Sequence, residues 1–264
     1  MPSWRYWVPE RQAKRSTSDK HIIFIAGVIL LATLWQVLSL WIGEEKMVFP
    51  GPVATFSYAV KLLQREYTYR CILATMSRML AGFAISFVLA LFFGIIAGNY
   101  PLMEKLFQPT IIALRAIPTA SLVYLFIVLA GFKKAPMFLV ILISFPIIYE
   151  GVCTGIARTP DPVMKALRVD GADFMKENLK IRIPLALPYI AVTVASSFSL
   201  CFKIEIMAEV ITGASNPGLG SAIMGARADD PTNMVPVFAY SLIAVVIMLM
   251  IDFVSDMLKK KISL

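Results

Sequence analysis

The sequence is poor in the side chains that usually bind metals, nucleotides and disulfide partners. It has one histidine, His21, and three cysteines, at positions 71, 153 and 201. The cysteines have neither metal-ligand spacing nor an even number, which argues against a zinc site or a disulfide framework. No GxxxxGK[ST] phosphate-binding loop is present, so the sequence has no recognisable nucleotide site. We predict that the chain itself holds no metal, no cofactor and no catalytic group.

Charge is scarce as well, and this indicates a membrane protein. Charged residues make up 16% of the 264 residues and hydrophobic residues 58%, with a mean hydropathy of +0.75. A soluble domain carries about 25% charged residues. Inside lipid the backbone must pair its own polar groups, which favours helices, and about 20 apolar residues cross the hydrocarbon. We predict an all-α, polytopic membrane protein with about six transmembrane helices, in residues 22–42, 81–100, 116–132, 135–157, 183–202 and 234–251.

The net charge is +8, and the distribution of the basic residues along the chain indicates membrane topology and not nucleic-acid binding. Basic residues cluster in the first 20 residues, in 158–182 and in 259–261. With six spans these clusters fall on one side of the membrane, and the positive-inside rule makes that side cytoplasmic. We expect both termini in the cytoplasm, residues 1–20 as a cytoplasmic arm, and 21–264 as one transmembrane domain.

A polar stretch, residues 158–183, separates the fourth and fifth predicted spans. Asp161 followed by Pro162 is a favourable helix start, and Gly171 is a favourable helix end. A second short helix is expected over about 172–180, before Pro184 opens the fifth span. This cytoplasmic elbow has no catalytic constellation, so we expect it to dock to another protein.

Other local patterns predict how the helices pack. Residues 53–63 have the spacing of an amphipathic helix. Ala90, Gly94 and Gly98 place small residues on one helix face, where a neighbouring helix can approach closely. Pro118, inside the third predicted span, is expected to kink it.

Several charged residues fall at membrane depth, where charges usually face a pathway or each other. Lys203, Glu205 and Glu209 follow the fifth span; the two glutamates share a helix face, and Lys203 points elsewhere. The alternative is that the helix ends near Lys203 and these groups are solvated. Arg115 is either a pathway residue or an interfacial anchor, and Arg78 is expected at the opposite interface. The candidate pathway residues are Arg115, Pro118, Lys203, Glu205 and Glu209.

The elbow also carries a recognisable motif. Lys165, Ala166 and Leu167, then Gly171 and the run IRIP at 181–184, resemble the EAA loop of permease subunits in bacterial ABC importers. Five segments in order are similar to the nitrate, sulfonate and taurine branch, which includes permeases for bicarbonate and thiamine precursors. They are FPGP (49–52), MSRMLAGF (76–83), LRAIPTASL (114–122), RIPLALPYI (182–190) and AEVITGASNPGLGSAI (208–223).

The resemblance implies a type I ABC importer permease fold and a non-catalytic translocation subunit in the bacterial inner membrane. Its partners would be two copies of an ATPase that uses ATP and Mg, a second permease that we expect to be identical, and an extracytoplasmic solute-binding protein. The substrate would be a small anion or a small organic molecule. The elbow would couple to the ATPase through Lys165, Ala166, Leu167, Asp170, Gly171, Ala172, Asp173, Phe174, Lys176, Ile181 and Pro184.

The chain departs from the family motif in the elbow. Lys165 and Leu167 stand where the family has glutamate and alanine, and Asp170 stands where an apolar residue is usual. A contact made by the family's carboxylate is therefore absent or reversed in charge, and Asp170 is available to cap the second helix.

Between the last two spans the chain is rich in glycine and proline. The resemblance indicates that this segment contacts the solute-binding protein, through Asn216, Pro217, Gly218, Leu219 and Gly220. The alternative is a plain connecting loop.

Three functions other than an importer permease would each require features that the sequence does not match. A membrane subunit of an energy-coupling-factor vitamin importer would lack the ordered flanking motifs. An ion-driven secondary transporter would show repeated halves, and none is seen. An intramembrane enzyme needs catalytic or metal-binding clusters that one histidine does not supply.

Overall fold

The computed structural model describes residues 17–42, 49–160, 162–163, 173–213 and 216–262, and this part of the chain is helical without strands. The predicted all-α class is confirmed. The elements are α1 (Thr17–Ile42), α2 (Pro52–Leu63), α3 (Glu66–Asn99), α4 (Pro101–Ala116), α5 (Thr119–Ala157), α6 (Phe174–Glu177), a π-helical segment (Asn178–Arg182), α7 (Ile183–Thr212), α8 (Leu219–Asp229) and α9 (Val235–Ile262).

Five helices of the described residues are long and apolar enough to cross a membrane, where the sequence predicts six separate spans. The difference lies in α5, which contains the third and fourth predicted spans. Gly131 has φ 76° and ψ 164°, which breaks the helix at a conformation that favours glycine. The rings of Phe126 and Phe138 lie 5.8 Å apart, although 12 residues of straight helix would separate them by about 18 Å. Helix α5 is therefore a hairpin with two arms.

Pro118 interrupts the helix and does not merely kink it. It lies between α4 and α5, where Ile117 and Pro118 have ψ values of 128° and 126°. Proline disfavours helical backbone in the residue before it, so α4 ends at Ala116. The helix over 101–116 is not among the predicted elements, because its charges and its internal Pro109 mask the pattern.

Helix α5 packs against α3 on one side and α7 on the other, and the small residues of α3 make the first contact close. A Cβ atom added at Gly94 would lie 2.7 Å from Val152 Cβ, and one at Gly98 would lie 2.6 Å from Ile156 Cβ. The predicted close helix contact is confirmed. The matching order of these contacts shows that α3 and the second arm of α5 run in the same direction.

The predicted amphipathic helix is α2, but the apolar face that the spacing predicts points outward. Thr55, Ala59 and Leu62 are buried, while Val53 and Phe56 are exposed. Lipid is as apolar as leucine, so a membrane protein need not turn its largest apolar side chains inward.

Candidate functional site

Helix α7 carries the charged groups that the sequence places at membrane depth. It continues without a break to Thr212, so the alternative in which the helix ends near Lys203 is wrong. Glu205 and Glu209 are one turn apart and have exposed fractions of 0% and 1%. Lys203 is exposed on another face of the same helix.

The two glutamates belong to a carboxylate cluster with Thr75 and Arg78 of α3. Arg78 Nε donates to Glu205 Oε1 at 3.1 Å, and Arg78 Nη2 donates to Glu209 Oε1. Thr75 Oγ1 donates to Glu209 at 2.9 Å. Because a charge buried without a partner is very costly, the guanidinium is what allows both carboxylates to be enclosed. The cluster joins α3 to α7.

The carboxylate cluster also fixes the segment that precedes α8. Gly220 N donates to Glu209 Oε2 at 2.8 Å, and Leu219 N donates to Thr75 Oγ1 at 2.9 Å. These are backbone donors of the first turn of α8, which a helix cannot pair internally. Arg78 Nη2 also donates to the Pro217 carbonyl at 2.9 Å. The start of α8 is thus docked onto α3 and α7.

Because the start of α8 is docked, the five residues predicted to contact a binding protein differ in how exposed they are. Leu219 is fully buried, and Gly218 and Gly220 are also buried. Asn216 is partly exposed and Pro217 is exposed. A contact with another protein would reach Asn216 and Pro217, while the other three shape the turn; the contact itself stays a prediction.

A polar cleft of about 510 Å³ lies beside α8 at the same end of the molecule. Tyr58, Arg65 and Tyr67 line it from one side, and Asp229 and Asp230 from the other. Hydrogen bonds from the hydroxyl and backbone N–H of Thr232 lower the pKa of Asp230, which therefore stays negatively charged at neutral pH.

The partner of the two glutamates does not follow from the sequence pattern. The pattern predicts Arg78 at an interface, whereas the structure leaves 20% of its side chain exposed and pairs it with both carboxylates. The sequence contains one indication of this pairing. A basic residue stands near one end of an apolar helix, and two acidic residues stand near the end of another apolar helix on the same side of the membrane.

A second charged pair is exposed and not buried. Arg115, in the last turn of α4, forms an ion pair with Glu150 of α5, with side-chain exposed fractions of 40% and 56%. Glu150 is the charge that interrupts the fourth predicted span. The pair is neutral overall, and its place in a pathway stays a prediction.

The predicted coupling residues fall partly outside the described residues. These are Lys165, Ala166, Leu167, Asp170, Gly171 and Ala172. Of the others, Asp173, Lys176 and Pro184 are exposed, Ile181 is partly buried, and Phe174 begins α6. Pro184 lies in the first turn of α7, as predicted.

The elbow continues directly into α7 and is tied to α3. The predicted second helix does not stop near residue 180, because α6 passes through the π-helical segment into α7. Asn99 Nδ2, at the end of α3, donates to Asn178 Oδ1 at 2.7 Å, and Asn178 is buried. Arg182 Nε donates to Glu177 Oε1 at 2.6 Å. The last residues of the elbow are thus held to the helix bundle.

Within the described ranges, no group of three or more histidine, cysteine, aspartate or glutamate side chains is arranged to hold a metal ion. The fold and the charged groups define an integral membrane protein with several crossing helices and a polar connection, residues 158–183, at one end.

The comparisons with known proteins identify the family. The family described as binding-protein-dependent transport system inner membrane component matches residues 90–264. A probable ABC transporter permease protein of Brucella melitensis is 28% identical over 73% of this chain and 77% of its own length. The Bacillus subtilis permease named for aliphatic sulfonate transport, SsuC, is 26% identical over 94% and 90%. A bicarbonate transport system permease protein of Synechocystis, CmpB, is 25% identical over 71% and 70%.

Solved structures agree on the fold. The MetNI methionine ABC transporter in an inward-facing conformation has a chain with TM-score 0.60 and 18% identity, over 74% of this chain and 96% of that one. A bacterial alginate ABC transporter, in complex with a periplasmic protein, has a chain with TM-score 0.62 and 13% identity, over 93% and 96%. These likenesses confirm the type I importer permease fold.

The chain belongs to the family of binding-protein-dependent transport system inner membrane components. It is a multi-pass permease subunit of an ABC importer and not an enzyme, because ATP hydrolysis in this family is performed by a partner ATPase. The family match favours this function over the vitamin-importer subunit, the secondary transporter and the intramembrane enzyme.

Proposed function

We propose that two copies of this chain form the translocation pathway of an importer for a small anion or a small organic molecule. Residues 21–264 of each copy act as one transmembrane domain. Two copies of a separate ATPase dock at the elbow, residues 158–183, and a solute-binding protein delivers the substrate on the other side. The observation that carries the proposal is the continuous helical connection from the elbow through the π-helical segment into α7.

The direction of the helices supports a cytoplasmic elbow. The ends of α3 and of the second arm of α5 lie beside the start of α7, because Asn99 contacts Asn178 and Gly155 faces Ala186. Basic residues concentrate at this end in 158–182, and the end of α9 adds 259–261. The positive-inside rule favours the cytoplasm for this end and for both termini.

The opposite end is suited to receive the solute-binding protein. The carboxylate cluster docks the start of α8 there, so that Asn216 and Pro217 project from a fixed turn. The polar cleft beside α8 carries charges of both signs, which an interface can match for register and orientation.

A displacement of the elbow reaches the pathway along α7. Closure of the two ATPases would displace α6, and the displacement would pass through the π-helical segment into α7, which carries Lys203 and the carboxylate cluster. A π-helical turn inside an α-helix often marks a functional site, where the helix can adjust. Alternating access in this arrangement is a rigid-body change driven by ATP in the partner chain.

The relatives suggest the substrate class. Aliphatic sulfonates and bicarbonate appear in the names of two relatives, and both are small and carry negative charge. We extend this class to the present chain as part of the proposal.

The test is co-expression with the partner ATPase, followed by native mass spectrometry of the purified complex. Two copies of each chain are expected. Gly171→Val should keep the chain in the membrane but abolish substrate-stimulated ATP hydrolysis, because a β-branched residue resists the left-handed turn expected there. Val254→Ala, on the exposed surface of α9, is the matched control and should behave as wild type. A chain that purifies alone and moves solute without ATP would overturn the proposal.

A further inference from the structure

Helix α7 has one stripe that the protomer leaves uncovered. Its members recur every three or four residues and are exposed: Leu185, Tyr189, Val192, Ser196, Leu200 and Lys203. The exposed large side chains of α9, such as Leu249 and Phe253, are apolar, as expected for a lipid-facing surface. The stripe on α7 differs because it contains two hydroxyl groups, those of Tyr189 and Ser196, and a cation.

Lys203 has no hydrogen bond or ion pair with any residue that the structure describes. It lines a cavity of about 260 Å³ between α7 and α9, together with side chains that are all apolar. They are Phe202, Ile206, Met207, Ala244, Val245 and Met248. A cation in such surroundings is expensive unless water or a negative group reaches it.

The position of Lys203 along α7 leaves little room for it to reach the membrane surface. It lies beside Ala244, Val245 and Met248 of α9, near the middle of the stretch Val235–Met257 that is long and apolar enough to cross a membrane, so that about 16 Å of this stretch lies on either side. A lysine side chain has a four-carbon stem, which is shorter than this distance. Lys203 therefore faces either a water-filled pathway or a partner group.

The nearby carboxylates of the same chain are not that partner. Glu205 and Glu209 are buried and are bound by Arg78. The exposed Arg115 and Glu150 neutralise each other. Lys203 is therefore an exposed positive charge that no carboxylate of the described residues contacts, and a symmetric pair of protomers carries it twice.

We propose that Lys203 contacts the negatively charged group of the solute in transit, and that it makes the pathway selective for small anions over neutral or cationic solutes. This inference rests on the proposed importer function. A lysine ammonium is a compact and strongly hydrated charge, so it attracts an anion without the two-point grip of an arginine. Such binding allows entry and also release, which transit requires.

The test measures the local preference for anions and needs no knowledge of the natural solute. Cys71, Cys153 and Cys201 are replaced by alanine, and Met207→Cys is introduced as a reporter one turn from Lys203. The whole complex in membrane vesicles is treated with two thiol reagents of similar size, the anionic 2-sulfonatoethyl methanethiosulfonate and the cationic 2-trimethylammonioethyl methanethiosulfonate. The measured quantity is the ratio of the two reaction rates.

We expect Lys203→Met to lower the anion-to-cation rate ratio by about tenfold, because it removes a unit charge about 6 Å along the helix from the reporter. Lys203→Arg should keep the ratio within about twofold, since it retains that charge. The control Leu249→Cys, on the exposed apolar surface of α9, should react with neither reagent.

Two results would overturn the inference. One is a reporter at position 207 that is as unreactive as Leu249→Cys, which would place Lys203 against lipid. The other is a ratio that does not change in Lys203→Met, which would show that other groups determine the electrostatic potential at position 207. Co-purification of the ATPase is scored separately, so a failure of the proposed importer function is distinguished from a failure at Lys203.

Discussion

Lys203 and Glu205 lie two residues apart on α7, yet their surroundings are opposite. Two residues rotate a helix by about 200°, which turns the two side chains to opposite faces. Glu205 is fully buried and is bound by Arg78 of α3, whereas Lys203 is exposed and unpaired among the described residues. The comparison shows that the face of the helix decides whether a charge is enclosed in the protomer or left exposed on it.

The largest expected effect on stability comes from replacing Arg78, the cation that binds the two buried glutamates. Arg78→Met leaves Glu205 and Glu209 enclosed without their guanidinium, and breaking a buried pair in this way costs about 3–5 kcal/mol. Thermal unfolding of the purified complex should show this loss of stability.

The control for Arg78→Met is Arg70→Met on the same helix, where the arginine is exposed and pairs with Glu66. We expect a change below about 1 kcal/mol for this exposed pair. Equal unfolding temperatures for the two variants would contradict a structural role for the carboxylate cluster.

The next effect concerns the segment that the carboxylate cluster docks. In Gly220→Ala the new Cβ would lie 2.3 Å from the Ile206 carbonyl oxygen, so the start of α8 must move away from α7. We expect a destabilisation of about 1–3 kcal/mol and faster proteolysis between residues 213 and 220.

Gly27→Ala is the matched change, because nothing lies within 4 Å of its added Cβ atom. It should leave proteolysis unchanged. An unaltered cleavage rate in Gly220→Ala would argue against the docked turn.

At the other end of α7 the connection to α3 is made by neutral amides, and a smaller effect on stability is expected. Asn178→Leu removes the acceptor for Asn99, whose Nδ2 keeps its bond to the Ile95 carbonyl at 2.7 Å, so we expect a loss of about 1 kcal/mol. Membrane insertion should be preserved, while stimulation of ATP hydrolysis by the loaded binding protein should fall several-fold because the elbow is no longer tied to α3.

Leu73→Ala, at an exposed position of α3 outside the elbow, serves as the comparison for Asn178→Leu and should keep full stimulation. If both variants respond equally to the binding protein, the Asn99–Asn178 contact has no part in coupling.

The smallest effect is expected at the exposed ion pair. Glu150→Gln should change the free energy of unfolding by less than about 1 kcal/mol, because solvent-exposed pairs contribute little. A double-mutant cycle with Arg115→Gln measures the interaction directly. A coupling energy as large as that of the carboxylate cluster would show that Arg115 and Glu150 are shielded from water in the assembled complex.

The sequence was sufficient for the elements that depend on local pattern. The apolar runs locate α1, α3, α7 and α9, and Pro184 locates the first turn of α7. Spacing alone also predicts the close approach at Gly94 and Gly98, because small residues every four positions have few other uses on an apolar helix.

The remaining features depend on contacts between distant parts of the chain. Arg78 and Glu205 are separated by 127 residues, so no local pattern pairs them. The hairpin in α5 turns at Gly131 and not at the neighbouring lysines, because the bend needs a conformation that glycine adopts freely. Six of the eleven predicted coupling residues lie outside the described residues, and their docking stays a prediction.

The fit between α3 and α5 also limits how the importer can change shape. With the Cβ positions of Gly94 and Gly98 filled by Val152 and Ile156, a shift of one helix past the other by less than one turn would push these branched side chains against the backbone of α3. Helix α3 and the second arm of α5 should therefore move together as one rigid body. The movement that opens and closes the pathway must then occur elsewhere, as a rotation of α7 relative to this pair of helices or as a tilt of the two protomers about their shared axis.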